Sequence, residues 1–293
     1  MNFAIVGPGA IGSLWATHLY QAGHKVNLWS RQTDNQLTIQ CDSNPPVTLP
    51  NNHCQSLNDS DVVLVTLKAP FVVSALQGLV EHIHSDAIIV LMHNGMGTAD
   101  QVSALLPNNP LLLATTTHGA YRPTPQQVLH TGEGNTQIGA ANSLGQQCEF
   151  IVDVLNNALA TVEWHSNIQQ ALWNKLAINC AINPLTAINN INNGELAQPT
   201  YKHELQNIIA EVVEVMKAEA IEVNKQTLTN TVQHVIEATS ANYSSMQQDI
   251  AHQRMSEIDF ITGYLIARAQ HHQIDVSFNQ SLYNSIKQIE QSW

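Results

Sequence analysis

Apolar residues recur with two different periods along this chain, and the period changes near residue 164. Upstream, short runs of aliphatic and β-branched residues alternate with helical stretches. Runs at 3–6, 25–29, 62–66, 88–92 and 111–116 predict strands. The segment Asp61-Val62-Val63-Leu64-Val65-Thr66 is apolar almost throughout, as a strand covered on both faces is. Strands alternating with helices predict a parallel sheet of the α/β class. Two Thr- and Gly-rich segments, 127–130 and 136–138, predict an antiparallel hairpin appended to that sheet. Downstream the strand runs stop and helical spacing takes over. Ile208, Ile209, Val212, Val213, Val215 and Met216 predict one apolar helix face; Ile258, Ile261, Leu265 and Ile266 predict another. The expected organisation is an α/β domain over residues 1–166 and an all-α domain over residues 167–293, with no internal repeat.

One helical stretch, 171–184, breaks the rule that apolar faces stay apolar. Lys175, Asn179 and Asn183 recur every four residues among Leu, Ile, Ala, Cys and Trp. Positions i, i+4 and i+8 drift by only about 80° on a helix, so the three polar groups share one face. A buried ammonium or amide without a partner is costly. The stripe must therefore meet internal hydrogen-bond partners, water or a polar ligand.

Composition narrows the partners. The 293 residues carry a formal net charge of −12, with only 11 Lys and Arg. That argues against non-specific binding to nucleic acid or to anionic lipid. No segment reaches the apolar length of a membrane span, and the first residues, Asn2-Phe3-Ala4-Ile5-Val6, read as a buried strand rather than a signal core. Cys41, Cys54, Cys148 and Cys180 form no CxxC pair and no zinc spacing. They read as reduced thiols of a cytoplasmic protein, and no metal site is expected.

Gly7-Pro8-Gly9-Ala10-Ile11-Gly12 matches G-x-G-x-x-G directly after the first strand and at the start of a helix predicted over 11–22. In that context the motif marks a Rossmann-type dinucleotide site. Gly7 permits the turn, Gly9 admits a pyrophosphate, Gly12 allows close helix–sheet packing, and the helix N-terminus supplies donors. The second strand ends in Leu28-Trp29-Ser30-Arg31, with no carboxylate before Asp34. An Arg can pair with a 2′-phosphate and Ser30 can donate to it, which favours NADPH over NADH. A surface Arg in a loop is the plain alternative. Lys68 and Asn94 follow later strands, at the ends that border the ligand crevice in such sheets; turn chemistry is the alternative for both.

A nicotinamide hydride needs an electrophilic carbon, commonly a carbonyl, and the resulting alkoxide needs a proton. A positioned Lys can supply it. The block Asn242-Tyr243-Ser244-Ser245-Met246-Gln247-Gln248-Asp249 is followed by Met255-Ser256-Glu257-Ile258-Asp259. Ser245-x-x-Gln248 also fits a capping box. Glu257 reads as an exposed helix residue, or as the carboxylate that orients Lys175 or binds the nicotinamide ribose.

Together these blocks resemble the 2-dehydropantoate 2-reductase (ketopantoate reductase) family over nearly the whole length. The resemblance rests on the glycine loop, the Arg31 turn, His93-Asn94-Gly95-Met96-Gly97, Thr115-Thr116-Thr117-His118, Lys-x-x-x-Asn-x-x-x-Asn-Pro ending at Pro184, Asn193-Gly194-Glu195, and the late Ser-Ser-Met-x-Gln-Asp and Glu-Ile-Asp blocks. Ser256 stands where that family usually has Thr, and Thr262 where Asn is common. The resemblance implies a Rossmann-type domain followed by an all-α domain of the 6-phosphogluconate dehydrogenase-like kind. It implies NADPH-dependent reduction of 2-dehydropantoate to (R)-pantoate, with Lys175 as proton donor and Glu257 in the catalytic set. It further implies Asn94, Asn179, Asn183, Asn193 and Ser245 as substrate contacts. Gly7, Pro8, Gly9, Ala10, Ile11, Gly12, Arg31, Lys68, Asn94, Ala120 and Glu257 would contact the cofactor. A monomer or homodimer is expected. A reductase of another small 2-keto acid, or an NADPH-binding sensor without turnover, are the alternatives.

Overall fold

The structure, a computed structural model, describes Met1–Trp293. It divides into two compact units, one made of Met1–His93 and Thr98–Ala171, the other of Asn94–Gly97 and Leu172–Trp293. The division falls one turn inside the helix Ile168–Asn189, a few residues beyond the 166/167 boundary drawn from periodicity. A continuous helix has no composition break to mark such a point.

All eleven strands belong to the first unit: β1 Asn2–Val6, β2 Lys25–Trp29, β3 Gln36–Cys41, β4 Val47–Pro50, β5 Val62–Val65, β6 Ile88–Met92, β7 Leu111–Thr116, β8 Gly119–Thr124, β9 Gln127–Gly132, β10 Thr136–Ala140 and β11 Val162–Trp164. The larger sheet has the order β11-β10-β7-β6-β5-β1-β2. From β2 to β7 it is parallel; β10 then runs antiparallel to β7. Every residue of β5 and β6 is buried, as expected for strands covered on both faces. The chain leaves β1 for β2 on one side and returns to β5 on the other. The carboxyl ends of β1 and β5 are therefore the point where strand order reverses, the usual place for a ligand. Helix Ala10–Gln21 packs Leu14, Trp15 and Leu19 into the same core as Phe3, Ile5, Val26 and Leu28.

The hairpin expected from 127–130 and 136–138 does not form. β9 pairs antiparallel with β8 and parallel with β3, in a small sheet of order β4-β3-β9-β8, while β10 pairs with β7. Both segments are strands, but their partners are set by burial: Val128 lies in register with Cys41, and Ile138 with Ala114. A Thr/Gly pattern marks an extended segment without naming its neighbour.

The second unit is helical, with Pro199–Ala218, Lys225–Ala238, Ser245–Ala251, Thr262–His271 and Ser277–Gln291 following the long helix. Pro199–Ala218 buries the six residues predicted for its apolar face. The second predicted face is interrupted: Ile258–Phe260 is a 3-10 turn, and the helix begins at Thr262. Ile258, Ile261, Leu265 and Ile266 are all buried nonetheless, because a turn can bury the same side chains without continuous helix. Met96, from the short segment, joins this unit's core. No helix is long and apolar enough to cross a membrane.

Candidate active site

In the first unit the glycine loop turns directly off β1. Gly7 has φ +86°, and a Cβ there would lie 2.4 Å from Leu67 Cδ2. Gly12 is pressed just as closely, with its would-be Cβ 2.3 Å from Thr66 Oγ1. Thr66 donates in turn to the Gly7 carbonyl at 2.7 Å, tying the loop to the end of β5. Gly9 differs. Nothing but the Gly7 carbonyl, 3.9 Å off, would meet its Cβ, so the loop is open at that residue. Gly9 is also the N-cap of Ala10–Gln21, and no side chain caps that helix. An open glycine beside an uncapped helix N-terminus fits a dinucleotide pyrophosphate.

The other first-unit residues cluster at strand ends. Arg31 is exposed just after β2 and has no protein partner. The Ser30 hydroxyl donates to Asn51 Oδ1 at 3.0 Å. Lys68 is partly buried at the N-cap position of Ala69–Gln77, and Ala120 lies in β8. Arg122, which the sequence reading passed over, donates from one guanidinium nitrogen to the Pro8 carbonyl and from the other to Pro125. It braces the glycine loop from 114 residues away. His118, known from the sequence only as the end of the Thr115-Thr116-Thr117-His118 block, lies beside His130, which carries no sequence signal. Gly134 N donates to His118 Nδ1 at 3.2 Å, and His130 Nε2 lies 3.0 Å from the same nitrogen. Burial, then the His130 charge, push His118 below its ordinary value. No group of three His, Cys, Asp or Glu side chains is arranged to hold a metal ion.

In the second unit Ile168–Asn189 carries Lys175, Asn179 and Asn183 as one stripe. Lys175 is only partly exposed, and burial pulls its ammonium from 10.5 down to about 8, with Glu257 acting against the fall. Glu257 is not the exposed helix residue of the plain reading: it is 7% exposed. Its Oε2 accepts from Asn94 Nδ2 at 3.4 Å. The amides of Asn179 and Asn183 make no hydrogen bond within the protein, although Asn183 is buried. Asn193 donates from Nδ2 to Thr239 Oγ1 at 2.9 Å and keeps a buried, unpartnered Oδ1. The capping role belongs to Ser244, whose hydroxyl accepts from Gln247 N at 3.0 Å and lies 2.7 Å from Thr186 Oγ1. Ser245 is thereby left exposed in the first turn of Ser245–Ala251, free of the capping duty the sequence allowed it. This unit thus brings together an ammonium, a carboxylate and several amides, a set that can bind an oxygen-rich anion and deliver a proton.

A Rossmann-type dinucleotide-binding unit joined to a helical unit with a lysine–carboxylate site defines a class of two-unit oxidoreductases. Family models narrow it. Residues 3–143 match "Ketopantoate reductase PanE/ApbA", and residues 167–290 match "Ketopantoate reductase PanE/ApbA C terminal". The chain is 50% identical over 293 residues to the 2-dehydropantoate 2-reductase of Vibrio cholerae, covering 100% of this chain and 99% of that one. It is 38% identical over 304 residues to the 2-dehydropantoate 2-reductase of Shigella flexneri, covering 100% of this chain and 96% of the relative. Among solved structures it is similar to the PanE/ApbA family ketopantoate reductase of Ralstonia eutropha, with TM-score 0.90, 26% identity, and coverage of 100% and 99%. The chain belongs to the ketopantoate reductase family.

Proposed function

We propose that this chain catalyses the NADPH-dependent reduction of 2-dehydropantoate to (R)-pantoate, on the route to pantothenate and coenzyme A, as a cytoplasmic monomer or homodimer. The observation that carries the reading is the placement of Lys175 on one helix stripe with Asn179 and Asn183, with the buried carboxylate of Glu257 acting on it. Burial lowers the lysine to about 8 while Glu257 resists, so the group is protonated at neutral pH yet close to releasing its proton. A general acid works best with its pKa near the working pH.

The residues divide by task. Gly7, Pro8, Gly9, Ala10, Ile11 and Gly12 would receive the pyrophosphate, and Arg31 the 2′-phosphate; Lys68, Asn94, Ala120 and Glu257 would complete the cofactor contacts. Bound NADPH supplies the hydride. Lys175 hydrogen-bonds the ketone oxygen of the substrate and gives up its proton as negative charge develops there. Asn94, Asn179, Asn183, Asn193 and Ser245 contact the substrate's carboxylate and hydroxyl without adding charge, so the ammonium is not neutralised by a second carboxylate. Glu257 holds that ammonium in its protonated form between turnovers.

The test is cofactor oxidation by purified protein with 2-dehydropantoate, beside NADH and 2-oxoisovalerate controls. Rapid oxidation confined to NADPH and 2-dehydropantoate is expected. Preference for 2-oxoisovalerate would keep the chemistry and discard the substrate. Binding of NADPH with no turnover would discard the enzyme altogether.

A further inference from the structure

We infer that Glu290, with Lys287, positions Glu257 from the last helix of the chain, and through it sets the state of Lys175. The inference rests on the proposed roles of Glu257 and Lys175.

Glu257 sits in the turn between Ser245–Ala251 and Thr262–His271, and both of its flanks are anchored on Ser277–Gln291. On one side, Ser256 donates twice to Glu290 Oε1, from its backbone N at 2.9 Å and from Oγ at 2.7 Å. The same Oγ accepts from Ile258 N at 3.2 Å. One hydroxyl therefore straddles Glu257, fixing the residue before it and the residue after it. On the other side, Asp259 accepts from Tyr283 Oη at 2.7 Å and from Lys287 Nζ at 2.9 Å. Lys287 closes the set, 3.3 Å from Glu290 Oε2. Tyr283, Lys287 and Glu290 fall at i, i+4 and i+7, one face of a helix.

The arrangement is an expensive way to dock a helix. The Glu290 side chain is 4% exposed and lies in the last turn, where the helix dipole disfavours a carboxylate. A buried ion pair is often no more stable than apolar packing of the same volume. Leu or Ile at 290 would dock the helix as well but could not accept two bonds from Ser256. What the carboxylate adds is a turn of fixed shape around Glu257. Lys287 supports this: burial would lower it, yet the Asp259 hydrogen bond and the two carboxylates hold it above its ordinary value, so it stays charged.

Loss of the anchor should let Glu257 drift from Lys175, and the lysine would then lose its proton at lower pH. The experiment is the pH dependence of kcat for 2-dehydropantoate reduction at saturating NADPH, with thermal melts alongside, on full-length Glu290→Ala, Glu290→Gln, Ser256→Ala and Ser256→Thr proteins. Glu257→Gln serves as the reference. Glu290→Ala and Ser256→Ala are expected to move the alkaline limb downward by about half a pH unit, in the direction of Glu257→Gln. At pH 7 that shift should cost less than about twofold in kcat, with the larger loss above pH 8. Glu290→Gln keeps an acceptor and Ser256→Thr keeps a hydroxyl, so both should restore most of each effect. Ser256→Ala leaves the backbone bond to Glu290 and answers the question should Glu290→Ala fail to fold. A limb that moves in Glu257→Gln but stays put in both alanine variants, whatever their melting temperatures, overturns the positioning role alone. An unmoved limb in Glu257→Gln itself overturns the Lys175–Glu257 reading, and the inference with it.

Discussion

Asn94 and Glu257 are 163 positions apart in sequence, yet Asn94 Nδ2 donates to Glu257 Oε2 at 3.4 Å. The carboxylate thus has a neutral donor, Asn94, and a cation, Lys175, acting on it from different parts of the helical unit. The amide fixes one oxygen without competing for the lysine's proton. This makes the lysine's charge state the variable to probe.

Activity in the reducing direction should follow the protonated fraction of Lys175. Its value is lowered to about 8, so kcat should hold through neutral pH and fall as pH rises through that value. Lys175→Ala should remove about 10²–10⁴-fold of turnover while NADPH affinity is nearly kept. Steady-state rates and cofactor fluorescence titrations check the two halves. Near-normal turnover in the variant would end the assignment.

Arg31 is exposed and without a protein partner, so removing it costs the fold little. Arg31→Ala should weaken NADPH by about tenfold or more and leave NADH nearly unchanged. Equal loss for both cofactors, measured by KM, would contradict a 2′-phosphate contact.

Gly9 and Gly12 should separate binding from stability. A Cβ on Gly12 meets Thr66 Oγ1 at 2.3 Å and the Gly7 carbonyl at 2.6 Å. Gly12→Ala should therefore destabilise the first unit by about 1–3 kcal/mol. A Cβ on Gly9 meets only the Gly7 carbonyl, at 3.9 Å. Gly9→Ala should melt like the native protein yet bind the cofactor poorly. Melting curves with and without NADPH read both.

A fourth test concerns stability away from the site. Glu219 Oε1 accepts from Arg268 Nε at 2.8 Å and from His272 Nε2 at 2.5 Å. Burial alone would raise Glu219, but those partners hold it below its ordinary value. A depressed carboxylate stabilises the fold above its unfolded value, and that stability is lost as pH falls through the folded one. Glu219→Gln should cost about 1–2 kcal/mol at neutral pH, with the gap to the native protein closing in acid. Urea melts across pH check it.

What could be read in the sequence was whatever local spacing encodes. G-x-G-x-x-G after a strand and Lys-x-x-x-Asn-x-x-x-Asn are each complete within a dozen residues, and strands such as β5 and β6 announce themselves by continuous apolarity. Partners set by tertiary contact were not legible. β9 and β10 were recognised as extended but wrongly paired, because Cys41 and Ala114 lie far from them in sequence. Ser244 and Ser245 carry the same hydroxyl, and only the hydrogen bond from Gln247 N shows which one caps the helix. Arg122 and Glu290 had no local signal at all, since each acts on a residue distant in the chain.

The segment Asn94–Gly97 groups with the helical unit although it lies between β6 and Ala99–Leu105 in the chain. Met96 N donates to Phe260 O at 2.8 Å, and Gly97, at φ +97°, leaves room where a Cβ would stand 3.0 Å from the Tyr264 ring. During synthesis these four residues leave the ribosome long before Phe260 and Tyr264 exist. The helical unit therefore cannot close its core until most of the polypeptide has been made. Nor can the gene be cut at 171/172 into two self-sufficient halves: the longer, N-terminal piece would carry Met96 away from the core it completes.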